Sequence, residues 1–401
     1  MQRHPPPHGP GLVLFALAVG GFAIGITEFA TMSLLPYFAA GLGIDAPTAG
    51  HVISAYALGV VVGAPLIAVV GARLARRTML VLLMTGFAAA NGLSALAPSY
   101  GWMMLFRFLS GLPHGAYFGY AALVAASLVP PERRTQAVGR IFLGLTFATV
   151  VGVPAANWLG QALGWRWSFV LVAASGICTA LLIWRYAPAT PADPRASPLR
   201  ELNALRRGQV WLTLAIGAIG FGGLFAVYTY LADLLLQVTH IAPQLVPLVM
   251  SVMGVGMTLG NLLVPRLADR ALMPTAAGLL LWSALVLAVY PLVATNIWLL
   301  TLDVFAVGIG GALGTVLQTR LMDVAADAQG LAAALNHSAF NTANALGPFL
   351  GGLAIAAGHG WSSPGWVGSL LALGGLLLCL VSAWLGRPRD DAAAQAQQAS
   401  S

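Results

Sequence analysis

Glu28, Arg107, Asp233 and Asp303 each interrupt a long apolar run. An ionisable side chain at the centre of a lipid bilayer costs roughly 3 kcal/mol or more, so charges kept there usually face a cavity and act in it. Three carboxylates near one guanidinium are the parts of a proton-transfer site. The guanidinium holds one carboxylate ionised. A second, with no counter-charge of its own, can load and release a proton. Glu28 is the expected exchanging acid and Arg107 its modulator.

Two polar stripes accompany these charges. Arg107, Ser110, His114 and Tyr117 recur at three- and four-residue spacing and so share one helical face. His337, Asn341 and Asn344 do the same, next to Asn336 and ahead of Pro348. Asparagine offers donors and acceptors without charge, which suits a neutral polar solute. Imidazole, with an unperturbed pKa near 6.5, lets His114 carry a proton. Each reading has a plainer rival. Glu28 and Arg107 could form a static ion pair that locks two helices. Asp233 could be solvated near an interface, and Asp303 could be a lone outer-end residue. The asparagines could bond to neighbouring helices. His51, ahead of its own apolar run, reads as an interface residue.

The elements that must position these groups are membrane helices. The chain is 59% hydrophobic and 8% charged. About 20 apolar residues cross the hydrocarbon core as a helix, and only a helix or a closed barrel satisfies its backbone there. Helices are expected near 12–35, 47–71, 77–97, 101–125, 137–160, 166–187, 210–237, 243–265, 274–294, 297–319, 331–357 and 362–386. All 19 basic residues are arginines, and they collect in alternate gaps: Arg73, Arg76 and Arg77; Arg133, Arg134 and Arg140; Arg185 to Arg207; Arg266 and Arg270; Arg320; Arg387 and Arg389. Positive charge marks cytoplasmic loops, so twelve spans with both termini inside are expected. On this placement the four buried charges lie on helices 1, 4, 7 and 10, within about 5 Å of one level, as one ionisable layer.

Other classes are excluded by the same residues. The pI near 9.9 comes from scattered inner loops rather than one basic face, which argues against a nucleic-acid partner. The first apolar run is too long for a signal-peptide core and no small-residue cleavage site follows, so an uncleaved first helix is expected. Cys178 and Cys379 lie far apart in apolar runs and read as packing residues, with no metal site. Asn336-His337-Ser338 matches a glycosylation pattern inside a span and is expected to be unused. Lysine is absent, and with it any phosphate-binding Gly-x4-Gly-Lys loop. No nucleophile motif points to an enzyme, and no cofactor is implied beyond the proton as coupling ion.

The chain divides into halves: 1–187 as a first six-helix bundle, 188–209 as a cytoplasmic linker, 210–386 as a second bundle and 387–401 as a disordered polar tail. The halves echo each other at an offset of about 197 residues. Gly59-x-x-x-Gly63 answers Gly256-x-x-x-Gly260, Arg73-Leu-Ala-Arg-Arg77 answers Arg266-Leu-Ala-Asp-Arg270, and Gly152-Val-Pro154 answers Gly347-Pro348. Small residues four apart let helix backbones approach closely in lipid. A twofold repeat of this kind is the architecture of alternating-access transporters, with the solute between the halves near the midplane.

The chain resembles the major facilitator superfamily, specifically its twelve-span drug:proton antiporter branch and the arabinose-efflux-permease-like proteins. The residues that carry the likeness are Thr27-Glu28-Phe29 with Leu34-Leu35-Pro36, Ile53-Ser54-Ala55-Tyr56 with Gly63-Ala64-Pro65, Arg107-x-x-x-Gly111 with His114-Gly115, and Gly152-Val-Pro154 continuing to Trp158-Leu159-Gly160 and Gly164-Trp165-Arg166. The last pattern is associated in that family with export. The resemblance implies two pseudo-symmetric all-α bundles, a monomer in a bacterial-type inner membrane, a cavity lined by helices 1, 4, 7 and 10, and gating loops at Arg73, Arg76, Arg77, Asp269 and Arg270. One departure stands out. The loop after helix 2 usually carries an acid that helps hold the outward-facing state, and here Arg73-Leu74-Ala75-Arg76-Arg77 has none, while the second copy keeps Asp269.

Together these readings predict a secondary active transporter that exports a small organic solute (a sugar, a nucleoside or purine, or a drug) in exchange for protons. The expected solute contacts are Tyr56, Ser110, Tyr117, Asn336, His337, Asn341 and Asn344. Proton-coupled uptake and passive facilitation in the same fold remain as alternatives. A membrane sensor would need a cytoplasmic output domain, and no segment is long enough to be one.

Overall fold

The computed structural model describes residues 9–44, 46–189, 191, 197–326 and 328–386. The expected tail, with Arg387 and Arg389, lies outside the described residues. So does part of the proline-rich stretch before Ser197.

Every regular element among the described residues is helical, and the helices form twelve rods. The first bundle holds α1 (Pro10–Ser33, continued by Leu35–Leu42), α2 (Ala46–Val70), α3 (Arg76–Ala95), α4 (Tyr100–Ser127), α5 (Arg134–Phe147, a π turn Ala148–Gly152, then Val153–Leu163) and α6 (Trp165–Tyr186). The second holds α7 (Gly208–Gly220 and Gly222–Gln237), α8 (Val246–Ala268), α9 (Leu272–Val293), α10 (Ile297–Ile309 and Leu313–Val324), α11 (Gln329–Ala354, ending in a π turn) and α12 (Ser363–Leu385). A five-residue linker helix, Pro198–Leu202, lies between the bundles. The breaks have local causes. Pro36 and Pro154 supply no N–H to continue the ladder, and the chain answers with a new start at Leu35 and a widened π turn ahead of Val153.

Ten of these helices are long and apolar enough to cross a membrane by composition alone. Helices α4 and α11 fall short, because they carry buried polar residues, Arg107, Ser110 and His114 on one and Asn336, His337 and Asn341 on the other, that lower their hydropathy. The outer surface fits hydrocarbon: Leu58, Val70, Leu292, Leu370 and Leu377 are exposed, and so are Trp158, Trp184, Trp298 and Trp384 near helix ends. Tryptophan prefers that interfacial depth.

Each bundle has its own apolar core. The first is built around Leu17, Phe87, Phe118 and Ile183, and the second around Leu231, Leu280, Leu300 and Leu317. A smaller cluster of Ala64, Ala68, Ala204, Leu331 and Ala332 joins the bundles where the linker helix docks. The face of the molecule carrying that cluster is called the linker face below. The repeat seen in the sequence is structural. A Cβ at Gly59 would come 2.2 Å from the Phe108 carbonyl oxygen, and one at Gly256 would come 2.1 Å from that of Phe305. Helices α2 and α4, and their counterparts α8 and α10, therefore touch through bare backbone.

Candidate functional site: a cavity between the bundles

Arg107, on α4, is 1% exposed. A buried guanidinium needs partners, and α1 supplies its hydrogen bonds, with α3 behind it. Its Nη1 donates to Thr27 Oγ1 at 2.8 Å, and its Nη2 reaches the Thr27 carbonyl at 3.4 Å. Thr27 Oγ1 in turn donates to Asn91 Oδ1 at 2.8 Å. The guanidinium carbon lies 4.4 Å from the Tyr56 ring centre and 5.6 Å from that of Phe169. Tyr56 is thus a neighbour of Arg107 in the first bundle. Thr27 and Asn91 lie outside the set of site residues that the sequence suggests. An asparagine inside an apolar run was the available signal.

Glu28 follows Thr27 on α1, so its side chain is turned about 100° around the helix. That rotation aims it away from the Thr27 knot and into a cavity between the bundles. It lies within the electrostatic reach of Arg107, yet no ion pair joins the two among the described residues. The two Nη groups of Arg107 are directed at Thr27 instead, and its Nε is buried without a partner. Arg107 therefore lies near the carboxylate without clamping it.

The cavity encloses about 50 Å³. From α1 come Glu28 and Phe29, and from α5 Phe142, Thr146 and Thr149. Phe221, Phe225 and Tyr228 on α7, Met257 and Asn261 on α8, and His337, Phe340 and Asn341 on α11 close the other side. A water occupies about 30 Å³ of liquid volume, so this space holds a water or two. Thr315 donates to Asn261 Oδ1 at 2.5 Å, and Asn341 donates to the His337 carbonyl at 2.9 Å.

A hydrogen-bonded chain crosses the bundle interface beside the cavity. Tyr56 Oη lies 2.9 Å from His114 Nδ1, and His114 Nε2 lies 3.0 Å from His337 Nδ1. His337 stacks on Phe118 at 4.2 Å, and its Nε2 is buried without a partner. Other contacts span the bundles nearby. Thr258 Oγ1 lies 3.1 Å from Thr146 Oγ1, and Phe29 meets Tyr228 edge-on at 5.8 Å.

Of the other expected site residues, several lie elsewhere. The four ionisable groups are not one cluster. Asp303 is 7% exposed with an unpartnered Oδ2, and its neighbour is Tyr290 on α9, inside the second bundle. Asp233 is partly exposed beside Tyr230. Depth along a helix says nothing about which way a side chain turns, and these two turn from Glu28. Tyr117 donates to the Leu17 carbonyl at 2.7 Å and packs into α1, and Ser110 bonds to its own helix at the Arg107 carbonyl. Asn336 donates to Gln318 Oε1 at 2.7 Å within the second bundle, the plainer reading of that residue. Asn344 is partly exposed farther along α11. His51 meets Tyr100 at 3.0 Å on the surface.

The residues expected to gate gather on the linker face. The Asp269 carboxylate accepts from the backbone N–H groups of Thr135 at 2.8 Å and Gln136 at 3.2 Å, and from Gln136 Nε2 at 2.9 Å. It thereby caps the start of α5 from the opposite bundle. Arg73, Arg76 and Arg270 are exposed, and Arg77 donates to the Trp184 carbonyl. On α5 a Cβ at Gly152 would meet Ile26 at 2.5 Å, so Gly152, next to Pro154, seats α5 against α1.

A profile of the Major Facilitator Superfamily matches residues 17–287 and again 234–400. The chain is 42% identical to the inner membrane transport protein YdhP of Escherichia coli K12 over 92% of its own length and 95% of that protein's. It is 33% identical to a chloramphenicol resistance protein of Streptomyces lividans, covering 92% of itself and 95% of the relative. Among solved structures, the proton:xylose symporter XylE superposes with a TM-score of 0.74 at 15% identity, over 95% of this chain and 96% of that one. That last likeness speaks to fold alone. These relatives are transporters rather than enzymes, and the XylE superposition extends over both bundles. This multi-pass membrane protein belongs to the Major Facilitator Superfamily.

Proposed function

We propose that this chain exports an amphipathic organic solute in exchange for protons, by alternating access across a bacterial-type inner membrane. The linker face is cytoplasmic on this reading, since the arginine-rich gaps collect there. Glu28 is the proton carrier, Arg107 sets its potential, and the proton is the only coupling ion invoked.

One observation carries the proposal. Among the residues lining the interbundle cavity, Glu28 is the single carboxylate. Charged, it needs water or a cation. Neutral, it can be enclosed. Proton loading from outside thus favours closure of the far face. Release to the cytoplasm and entry of solute favour the return. The lining also bears on the solute. Five phenylalanines and a methionine surround a few hydrogen-bonding groups, a surface suited to an apolar body with one or two polar handles rather than to a sugar. The name of the Streptomyces relative points to the same class.

The test is proton flux in liposomes holding a pH-sensitive dye. Chloramphenicol, a pentose and a purine nucleoside are added in turn. A drug-dependent flux is expected, lost in Glu28→Gln while drug binding persists. Normal coupling in that variant would remove Glu28 from the mechanism. Solute equilibration without proton movement would make the protein a facilitator.

A further inference from the structure

The repeat leaves an asymmetry on the linker face. Asp269, after α8, caps the start of α5. The counterpart of α5 in the second half is α11. The repeat would take its cap from the loop after α2, where Arg76 stands in place of the acid. The start of α11 is nevertheless capped. Glu201, on the linker helix, accepts from the backbone N–H of Leu331 at 2.7 Å. Carboxylates are favoured at helix N-termini by the free N–H groups and the helix dipole, and a charged acceptor makes the strong form of such a bond.

The surroundings fit this carboxylate. A Cβ on Gly330 would come 3.1 to 3.3 Å from three atoms of the Glu201 carboxylate, so the bare backbone there makes its seat. Ser197 caps the linker helix, accepting from Arg200 N at 3.2 Å. Ala204, just beyond, is fully buried among Ala64 and Ala68 of α2 and Leu331 and Ala332 of α11. The linker is therefore seated on both bundles. Tyr120 of α4 lies within electrostatic reach of both Glu201 and Arg76.

We infer that Glu201 is the missing first-half latch: the linker, not the loop after α2, supplies the carboxylate that holds the linker face shut. Two equivalent caps, Asp269 on α5 and Glu201 on α11, must both release before that face opens. The linker is thus a part of the gate as well as a tether. This holds whatever the solute or coupling ion.

The experiment measures opening directly and does not need a substrate. Cys178 and Cys379 are replaced by alanine and Ala68→Cys is introduced under the latch. The purified protein is then treated with a bulky polar maleimide and the labelling rate followed. Glu201→Gln is expected to raise the rate several-fold, as Asp269→Asn does, and the double variant to raise it further. Gly330→Ala, which keeps the carboxylate but crowds its seat, should move the rate in the same direction. Leu199→Ala, at an exposed position on the linker helix, is the neutral control. If Asp269→Asn accelerates labelling while Glu201→Gln and Gly330→Ala do not, the linker is only a tether and the inference fails. Should Glu201→Gln not yield folded protein on size exclusion, Gly330→Ala decides alone.

Discussion

His114 Nε2 and His337 Nδ1 lie 3.0 Å apart, and the two rings belong to different bundles. Such a bond requires one nitrogen to donate and the other to accept. Two imidazolium rings at this distance would repel, so the bundle contact and the protonation of the pair are linked. His337→Phe would keep the stack on Phe118 and remove the bond. A buried imidazole left without its partner costs about 1–3 kcal/mol. The expected outcome is a faster cysteine labelling rate at Ala68→Cys, by roughly 5-fold or more. An unchanged rate would mean that the rings touch without holding the bundles together.

Arg107 tests whether charge alone suffices. Its fork reaches Thr27 through two nitrogens while its guanidinium carbon lies over the Tyr56 ring, 4.4 Å from the ring centre. A lysine keeps the charge but neither the fork nor the broad cation over the Tyr56 ring. Arg107→Lys should therefore lose drug-driven proton flux by about 10-fold or more, against a smaller loss for Thr27→Val, where the carbonyl contact survives. Full activity in Arg107→Lys would reduce Arg107 to a point charge for Glu28.

Much of this was legible in the residues. The arginine alternation and apolar runs located all twelve rods, most of them to within about three residues at each end, while α1 runs seven residues past its expected end, to Leu42, and α10 five past its own, to Val324. The glycine pairs at Gly59 and Gly256 announced the backbone contacts that the fold displays. The site was less legible, for a geometric reason. Helical depth can be counted along a sequence, but facing depends on which neighbour each helix packs against. Hence Glu28 and Arg107 come out near each other, while Asp303 turns to Tyr290 and Tyr117 to Leu17. The apolar lining of the cavity escaped because phenylalanines in membrane helices look like any lipid-facing residue. The cap at Leu331 escaped because the acid lies about 130 residues away, in a linker with no pattern of its own.

The repeat also makes a stability prediction. At Gly256 a methyl group would press into the Phe305 carbonyl at 2.1 Å, and backbone cannot swing aside as a side chain can. Overpacking of this kind costs roughly 1–3 kcal/mol. Gly256→Ala and Gly59→Ala should both lower the melting temperature of the purified protein by several degrees. Gly278→Ala, where a methyl group would meet nothing within 4 Å, should not. Equal melting of all three would show that the helices part at these contacts without penalty.

The solute class is the last point open to a direct test, and Phe340 is the residue to change. Its ring centre lies 4.7 Å from that of Phe221, the two planes tilted by 41°, and both rings line the cavity. A solute with an apolar body must displace water from these rings. Truncating a buried Phe removes about 3 kcal/mol or more of apolar contact in a folded core, and part of that loss should appear in binding. Phe340→Ala is expected to raise the KM for chloramphenicol by roughly 10-fold while kcat and the drug-free proton leak stay near their original values. A sugar would be held by hydrogen bonds instead, so its KM would barely move. If the variant leaves chloramphenicol kinetics unchanged and alters transport of a pentose, the aromatic lining is scaffold and the amphipathic reading of the solute is wrong.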